Sequence, residues 1–222
     1  MALELQKRFG VAVANRLVTN SRDALWKHRV HAARPRFLDG GTLAVLMVKE
    51  PHFWIQSTAR NFYELHPVVR DERGGLQDTT SRELADLFDC VEHDKTVYPD
   101  AVALWTAAVR SYFDDEVFPA SAAVVVRAED FLFRFDAVMD ELAATWAFAP
   151  PESAGAEPPE PREKATKSGA RSRSQALAYY ADPANRDRGF SGAQLGRVSE
   201  GADPALAAIL GYGEGAVAGW AA

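Results

Sequence analysis

The sequence predicts an α/β protein in which a parallel β-sheet is packed between helices. Two short apolar runs carry this prediction, residues 43–48 (LAVLMV) and residues 122–126 (AAVVV). Both are rich in β-branched or other apolar residues, as strands buried on both faces of a parallel sheet are. Each run is followed by a segment that can be helical, and such alternation of strand and helix is typical of βαβ units.

Composition narrows the functional classes. The chain has 222 residues, of which 47% are hydrophobic, enough for a domain with a sizeable core. Its formal net charge is −6, so we expect neither a nucleic acid nor a membrane surface as a partner. Any anionic ligand must therefore be held by a local group of basic side chains and backbone N–H groups.

Cysteine usage and hydropathy indicate a soluble cytoplasmic protein without a metal centre. Cys90 is the only cysteine, which excludes an intrachain disulfide and a multi-cysteine metal site and fits a reducing compartment. No apolar run approaches the roughly 20 residues that cross a bilayer. The first residues do not have the pattern of a signal peptide.

The helices follow in order along the chain. Residues 1–9 have apolar residues at helical spacing but no capping residue ahead of them, so the chain opens as if within a helix. After polar loops and the strand at 43–48, residues 52–64 can be helical. Apolar residues at helical spacing predict further helices near residues 80–88, 100–113 and 131–146.

The segment from residue 150 to residue 174 differs from the rest of the chain. It mixes proline, glycine and charged residues and cannot bury enough apolar surface to become ordered alone. Its basic end is either a solvated tail or a strap that closes over an anion. We divide the chain into an α/β core (1–149), a flexible loop (150–174) and a C-terminal part of the same domain (175–222), with short helices predicted at 175–180, 192–198 and 204–210.

Lys49 is the first candidate binding residue. It directly follows the strand at 43–48, and ligands of open α/β sheets bind outside the carboxyl ends of the strands. Ser57 stands eight positions later, where a turn and a helix can bring its hydroxyl group to the same ligand. The alternative is a buried strand that ends in a solvated lysine, and the pattern alone leaves both interpretations open.

Four segments together resemble the sulfotransferases that use 3′-phosphoadenylyl sulfate. Residues 48–57 (VKEPHFWIQS) are the most specific, because they are similar to a family segment with a basic residue, a proline and a serine. The other segments are residues 26–28 (WKH), 124–130 (VVVRAED) and 190–212. Order and spacing agree with the family over residues 1–146 and 175–212.

The resemblance implies a fold, a donor and a set of site residues. The fold is a three-layer P-loop-NTPase-like parallel sheet flanked by helices. The cofactor is 3′-phosphoadenylyl sulfate (PAPS), which gives its sulfuryl group to a hydroxyl or amine of a small-molecule or glycan acceptor; a homodimer is compatible with it. The family's roles fall on His28 as catalytic base, Lys27 at the bridging oxygen, Lys49 and Ser57 at the 3′-phosphate, and Lys167 and Arg171 at the nucleotide end of the donor.

His28 and Arg127 each have a second interpretation. An imidazole with an ordinary pKa near 6.5 suits His28 to take an alcohol proton at neutral pH, but a surface histidine would give the same pattern. Arg127 stands where the family has a site loop, and it can equally be structural, paired with Glu129 or Asp130.

One departure from the family separates two hypotheses. The family's first strand and its Gly-rich phosphate loop would precede Met1, and no such loop occurs in the sequence. We expect either an N-terminally truncated enzyme or a diverged relative that no longer binds the donor and acts as a binding or structural protein. The sequence also lacks a Walker-type Gly-Lys-Ser/Thr motif, which argues against a P-loop kinase relative.

Overall fold

A computed structural model describes the residues that position the candidate site. These are residues 5, 8–9, 30–35, 38, 42–62, 65–70, 75–79, 81–147 and 173–212. The predicted residues Lys27, His28, Lys167 and Arg171 lie outside the described residues, as does most of the segment 150–174.

The described strands form two separate sheets. Together with the helices between them, they make this an α/β protein. In chain order the strands are β1 (Ala44–Val48), β2 (His66–Arg70), β3 (Leu76–Asp78), β4 (Val91–His93), β5 (Thr96–Tyr98) and β6 (Ala123–Arg127). The apolar runs at 43–48 and 122–126 form β1 and β6, which pair in parallel with Ala44 opposite Ala123 and Val48 opposite Arg127. The other strands form an antiparallel sheet in the order β3-β2-β4-β5.

The helices surround the parallel pair. They are α1 (Pro51–Arg60), α2 (Ala101–Tyr112), α3 (Ala128–Phe133), α4 (Phe135–Trp146), α5 (Arg173–Ala181), α6 (Pro183–Arg186), α7 (Gly192–Gly201) and α8 (Pro204–Leu210). The predicted helix at 131–146 begins earlier and is broken at Arg134, whose φ and ψ are −124° and 40°. No described helix has the length and apolar character that crossing a membrane requires.

Side chains of the parallel pair alternate between two core clusters. Ala44, Leu46 and Val48 belong to the larger cluster, which includes apolar residues of α1, α2, α7 and α8. Val45 and Val124 pack instead on a smaller cluster formed mainly by α4. Met47 is 39% exposed, so the prediction that β1 is buried on both faces is wrong at this position.

Capping residues explain where the main helices begin. Glu50 caps α1 and is followed by Pro51 at the first helical position, where a proline loses no hydrogen bond. Asp100 caps α2 by accepting the Ala103 N–H at 2.8 Å. Ser191 and Gln194 form a reciprocal capping box at the start of α7.

The antiparallel sheet was not predicted. The segment expected to be helical near residues 80–88 contains only a short 3₁₀ turn, Ala85–Phe88. Strands β4 and β5 form a hairpin in which Asp94 and Lys95 have φ values of 49° and 64°, as a two-residue type I′ turn requires. Glycine and asparagine usually mark such turns, and neither occurs here.

Candidate functional site

The candidate site lies at the carboxyl ends of β1 and β6. Because Val48 is opposite Arg127, the next residues of both strands emerge at the same edge of the parallel pair. In α/β sheets this edge is where ligands bind. Five residues with polar side chains meet here and form what we call the strand-end cluster: Lys49, Glu50, His52, Glu129 and Arg186.

Glu50 is the centre of the strand-end cluster. Only 1% of the residue is exposed, and its Oε2 accepts the Phe53 N–H at 3.1 Å. Its Oε1 lies 2.7 Å from His52 Nδ1 and 3.0 Å from Arg186 Nε. Burial by itself raises the pKa of Glu50, but the hydrogen bond and charge of His52, together with Arg186, lower it overall. Glu50 is therefore the ionised partner of two basic groups.

His52 has one engaged and one unengaged ring nitrogen. Because the Glu50 carboxylate is ionised, Nδ1 is the nitrogen that donates the hydrogen between them. Nε2 is buried and has no hydrogen-bond partner among the described residues. The ring is packed against Phe190, with centroids 5.6 Å apart and an interplanar angle of 76°. The imidazole is thus closed off from solvent by an aromatic side chain.

Glu129 links the two strand ends. Its Oε1 accepts the backbone N–H of Glu50 at 3.1 Å, and its Oε2 accepts the Tyr212 hydroxyl at 2.8 Å. Only 2% of Glu129 is exposed. Burial raises the pKa of its carboxyl group, and this effect exceeds the opposing effects of its hydrogen bonds and of the Lys49 charge. Two neighbouring buried carboxyl groups, Glu50 and Glu129, are therefore shifted in opposite directions.

Lys49 presents an ammonium group at this edge. The residue is partly buried, and Nζ lies 4.9 Å from the centroid of the Tyr180 ring, a cation–π distance. Within the described part of the chain, Nζ has neither a hydrogen-bond acceptor nor a carboxylate in ion-pair contact. Among the described residues, the groups that act on its charge are the face of the Tyr180 ring and, electrostatically, Glu129.

Ser57 lies on the same side of α1 as Phe53, one helical turn further along. Phe53 and Lys49 both contact Tyr180, since the Phe53 and Tyr180 ring centroids are 4.7 Å apart. Ser57 is a partly buried residue, and its hydroxyl makes no hydrogen bond to any residue of the described ranges. The spacing of eight positions thus places both predicted phosphate-binding residues towards the side of α1 that α5 covers.

Arg127 has the structural role that the sequence left open. Its Nε and Nη2 each donate to a different oxygen of Asp130 at 2.6 Å, and its Nη1 donates to the Leu210 carbonyl at 2.7 Å. The side chain therefore ties β6 to the end of α8. An open groove of about 460 Å³ lies beside it and is lined by polar and apolar groups, among them Phe113, Asp130 and Ile209.

Sequence reasoning did not identify Glu50, His52, Glu129 or Arg186 as members of a common site. The available signal was an acidic residue shortly after each of the two apolar runs. If both carboxyl groups are buried there, they need partners. Within the described ranges, no group of three or more histidine, cysteine or acidic side chains is arranged to hold a metal ion.

Comparison of the chain with protein-family models, with curated proteins and with solved structures finds no match.

Proposed function

We propose that this chain is a sulfotransferase-like protein that binds PAPS and transfers its sulfuryl group to a hydroxyl or amine. The observation that carries the proposal is Lys49, a partly buried residue at the carboxyl end of β1 whose ammonium group has no anionic partner among the described residues. The proposal includes the three-layer sheet of the P-loop-NTPase type, a small-molecule or glycan acceptor and a cytoplasmic location.

A phosphate group would complete the environment of Lys49. An anionic ligand would give the Lys49 ammonium the charge partner that the described residues do not provide. The Ser57 hydroxyl offers a second donor on the same side of α1, so an ammonium and a hydroxyl can share one phosphate through charge-assisted hydrogen bonds. The resemblance assigns the 3′-phosphate of the donor to this pair.

The chemistry follows from in-line transfer. A bond forms between the acceptor oxygen or nitrogen and sulfur while the bond between sulfur and the bridging phosphate oxygen breaks, and 3′,5′-diphosphoadenosine leaves. The acceptor proton passes to His28, and Lys27 stabilises the negative charge that develops on the bridging oxygen. Lys167 and Arg171 are proposed to hold the nucleotide end of the donor.

A second candidate function is a binding or structural protein that keeps the fold without binding the donor. It is the alternative if no Gly-rich phosphate loop supplies the backbone N–H groups that would hold the 5′-phosphosulfate. The two candidates differ in whether the chain binds the nucleotide.

Calorimetric titration of 3′,5′-diphosphoadenosine into the chain, and into a version extended upstream in its native reading frame, separates the two candidates. We expect the wild-type chain to bind and Lys49→Ala to bind roughly 10- to 150-fold more weakly, the range for losing a hydrogen bond to a charged group. Lys95→Ala is the matched control. Lys95 is exposed in the β4–β5 turn, and its substitution removes the same charge as Lys49→Ala does. Equal affinity of Lys49→Ala and wild type would overturn the assignment of Lys49. Binding by the extended version alone would mean that the phosphate loop lies upstream of the chain, and binding by neither would favour the second candidate.

A further inference from the structure

The peptide group between Lys49 and Glu50 is held at both ends by side chains from other elements. Trp105 of α2 donates its Nε1–H to the Lys49 carbonyl at 2.9 Å. The Glu50 N–H donates to Glu129 Oε1 of α3 at 3.1 Å. A peptide plane bound at its oxygen and at its nitrogen cannot rotate freely. The direction in which the Lys49 side chain leaves the backbone is therefore set by these two contacts.

Glu129 completes the cap of α1 from outside the helix. In a capping box, the side chain three positions after the cap accepts the N–H of the capping residue. Here the cap is Glu50 and the residue at that position is Phe53, which has no acceptor in its side chain. Glu129 accepts this N–H instead, so the start of α1 and the orientation of Lys49 depend on a residue of α3.

Glu129 is itself held in place. The Tyr212 hydroxyl lies 2.8 Å from Glu129 Oε2 and 3.4 Å from the Val48 carbonyl, so it bridges α3 and the last residue of β1. Tyr212 is 5% exposed and follows the end of α8. The three side chains around the Lys49 backbone, Trp105, Glu129 and Tyr212, thus form a buried frame anchored in separate elements.

We infer that Glu129 is a positioning residue, which acts through the Glu50 N–H to hold Lys49 in the orientation that binds a phosphate group of a nucleotide. This inference rests on the proposed function. Glu129 does not need to touch the ligand, because its hydrogen bonds go to the Glu50 backbone and to Tyr212. Glu129 sets the position of Lys49, and Lys49 is the cation that contacts the phosphate group.

The test is a double-mutant cycle on the affinity for 3′,5′-diphosphoadenosine, measured by calorimetry with the full chain. Glu129→Leu removes the acceptor for the Glu50 N–H, and we expect about 10-fold weaker binding, typical of losing one such contact. In a Lys49→Ala background the same change should weaken binding less than about 2-fold, since coupled residues are not additive. Glu129→Gln keeps an oxygen acceptor and should restore affinity to within about 3-fold of wild type.

A merely structural role would give a different pattern. Leu142→Ala in α4 creates a cavity in the smaller core cluster, away from Lys49, and is the control for lost stability. We expect it to lower the melting temperature without weakening nucleotide binding. If Glu129→Leu weakens binding equally with and without Lys49, or if Leu142→Ala weakens it as much, the inference is overturned while the proposed function stands.

Trp105→Phe keeps the test decisive if Glu129→Leu does not fold. It removes the donor to the Lys49 carbonyl at the other end of the same peptide group, and it retains an aromatic ring in the core. Weaker binding that disappears in the Lys49→Ala background supports the frame. Unchanged affinity overturns it. If neither the wild-type chain nor a version extended upstream in its native reading frame binds the nucleotide, both the inference and the proposed function are overturned.

Discussion

Arg186 donates its Nε–H to Glu50 Oε1 at 3.0 Å, although the two residues are 136 positions apart in the chain. The same oxygen is 2.7 Å from His52 Nδ1, and Glu50 also caps α1. A single buried carboxylate therefore starts a helix and anchors a C-terminal segment to the end of β1. The stability expected of Glu50 and Gln56 variants depends on this arrangement.

Glu50→Gln should destabilise the protein by about 3–5 kcal/mol at neutral pH, because it leaves the charge of Arg186 without its buried partner. The pKa of Glu50 is lowered from 4.5, so its contribution is fully present above that value and is lost as the pH falls further towards the folded-state pKa. Denaturant unfolding should therefore show the variant and wild type converging below about pH 4.5. Glu200→Gln, at an exposed residue, is the control. A difference that does not change with pH would contradict the assignment.

Glu129→Gln should show the opposite pH dependence. The pKa of Glu129 is raised above 4.5, so the folded protein holds a proton that the unfolded chain releases. The contribution of Glu129 to stability is greatest below 4.5 and falls as the pH rises through the folded-state pKa. The free energy of unfolding of the variant should therefore increase relative to that of wild type as the pH rises from 4.5 towards the folded-state pKa of Glu129. Parallel curves for the two proteins would argue against a raised pKa.

Gln56→Ala should loosen the segment that carries Arg186. The Gln56 amide Nε2 lies 2.8 Å from the Asn185 and Arg186 carbonyls and 3.1 Å from the Arg188 carbonyl. Removing this donor leaves those carbonyls without it, at a cost of about 1–3 kcal/mol. Hydrogen exchange should then become faster at residues 182–190.

Ser57→Ala is the matched control for Gln56→Ala. Ser57 is the next residue of α1, and its hydroxyl has no hydrogen bond within the described ranges. Its loss should change stability by less than about 0.5 kcal/mol. If both variants accelerate exchange equally, the three carbonyl contacts of Gln56 are not what holds the segment.

Gly211→Ala should destabilise the end of α8. Gly211 has a φ of 65°, and a Cβ atom there would lie 2.9 Å from Arg127 Nη1, the atom that donates to the Leu210 carbonyl. We expect a loss of about 1–2 kcal/mol from backbone strain alone, measured by thermal unfolding. Gly196→Ala is the control with the opposite sign, because Gly196 lies within α7 and, apart from the backbone of α7 itself, no atom of the described residues lies within 4 Å of the added Cβ. It should stabilise the protein by roughly 0.5–1 kcal/mol.

His28→Ala tests the proposed chemistry separately from binding. We expect the rate of sulfuryl transfer to fall by about 10²–10⁴-fold, because the general base is removed. The affinity for 3′,5′-diphosphoadenosine should stay unchanged, since Lys49 and Ser57 are the proposed phosphate ligands. A variant that transfers at the wild-type rate would require another base.

Local patterns were sufficient for part of the fold. The strands β1 and β6 and the helices α2, α7 and α8 were predicted because apolar periodicity and capping residues lie within each segment. The antiparallel sheet was missed because β3, β4 and β5 have three residues each, too short for alternation to be read, and because Asp94 and Lys95 do not mark a tight turn.

The site was predictable only in its outline. Lys49 follows an apolar strand in the sequence, so its place at the end of β1 could be expected. The strand-end cluster depends instead on contacts over long sequence separations, such as those of Glu129 and Arg186 with Glu50. A single sequence gives the charge of each residue but not which charges are buried together.

The parallel pairing of β1 with β6 also has a consequence for the nascent chain. Ala44 cannot find Ala123 until most of the intervening chain has been synthesised, which takes roughly 4–16 s at about 5–20 residues per second. Until then the apolar run at 43–48 cannot pair with β6, and exposed apolar runs make incomplete chains prone to aggregate. The order of synthesis thus delays the pairing that fixes the segment carrying Lys49.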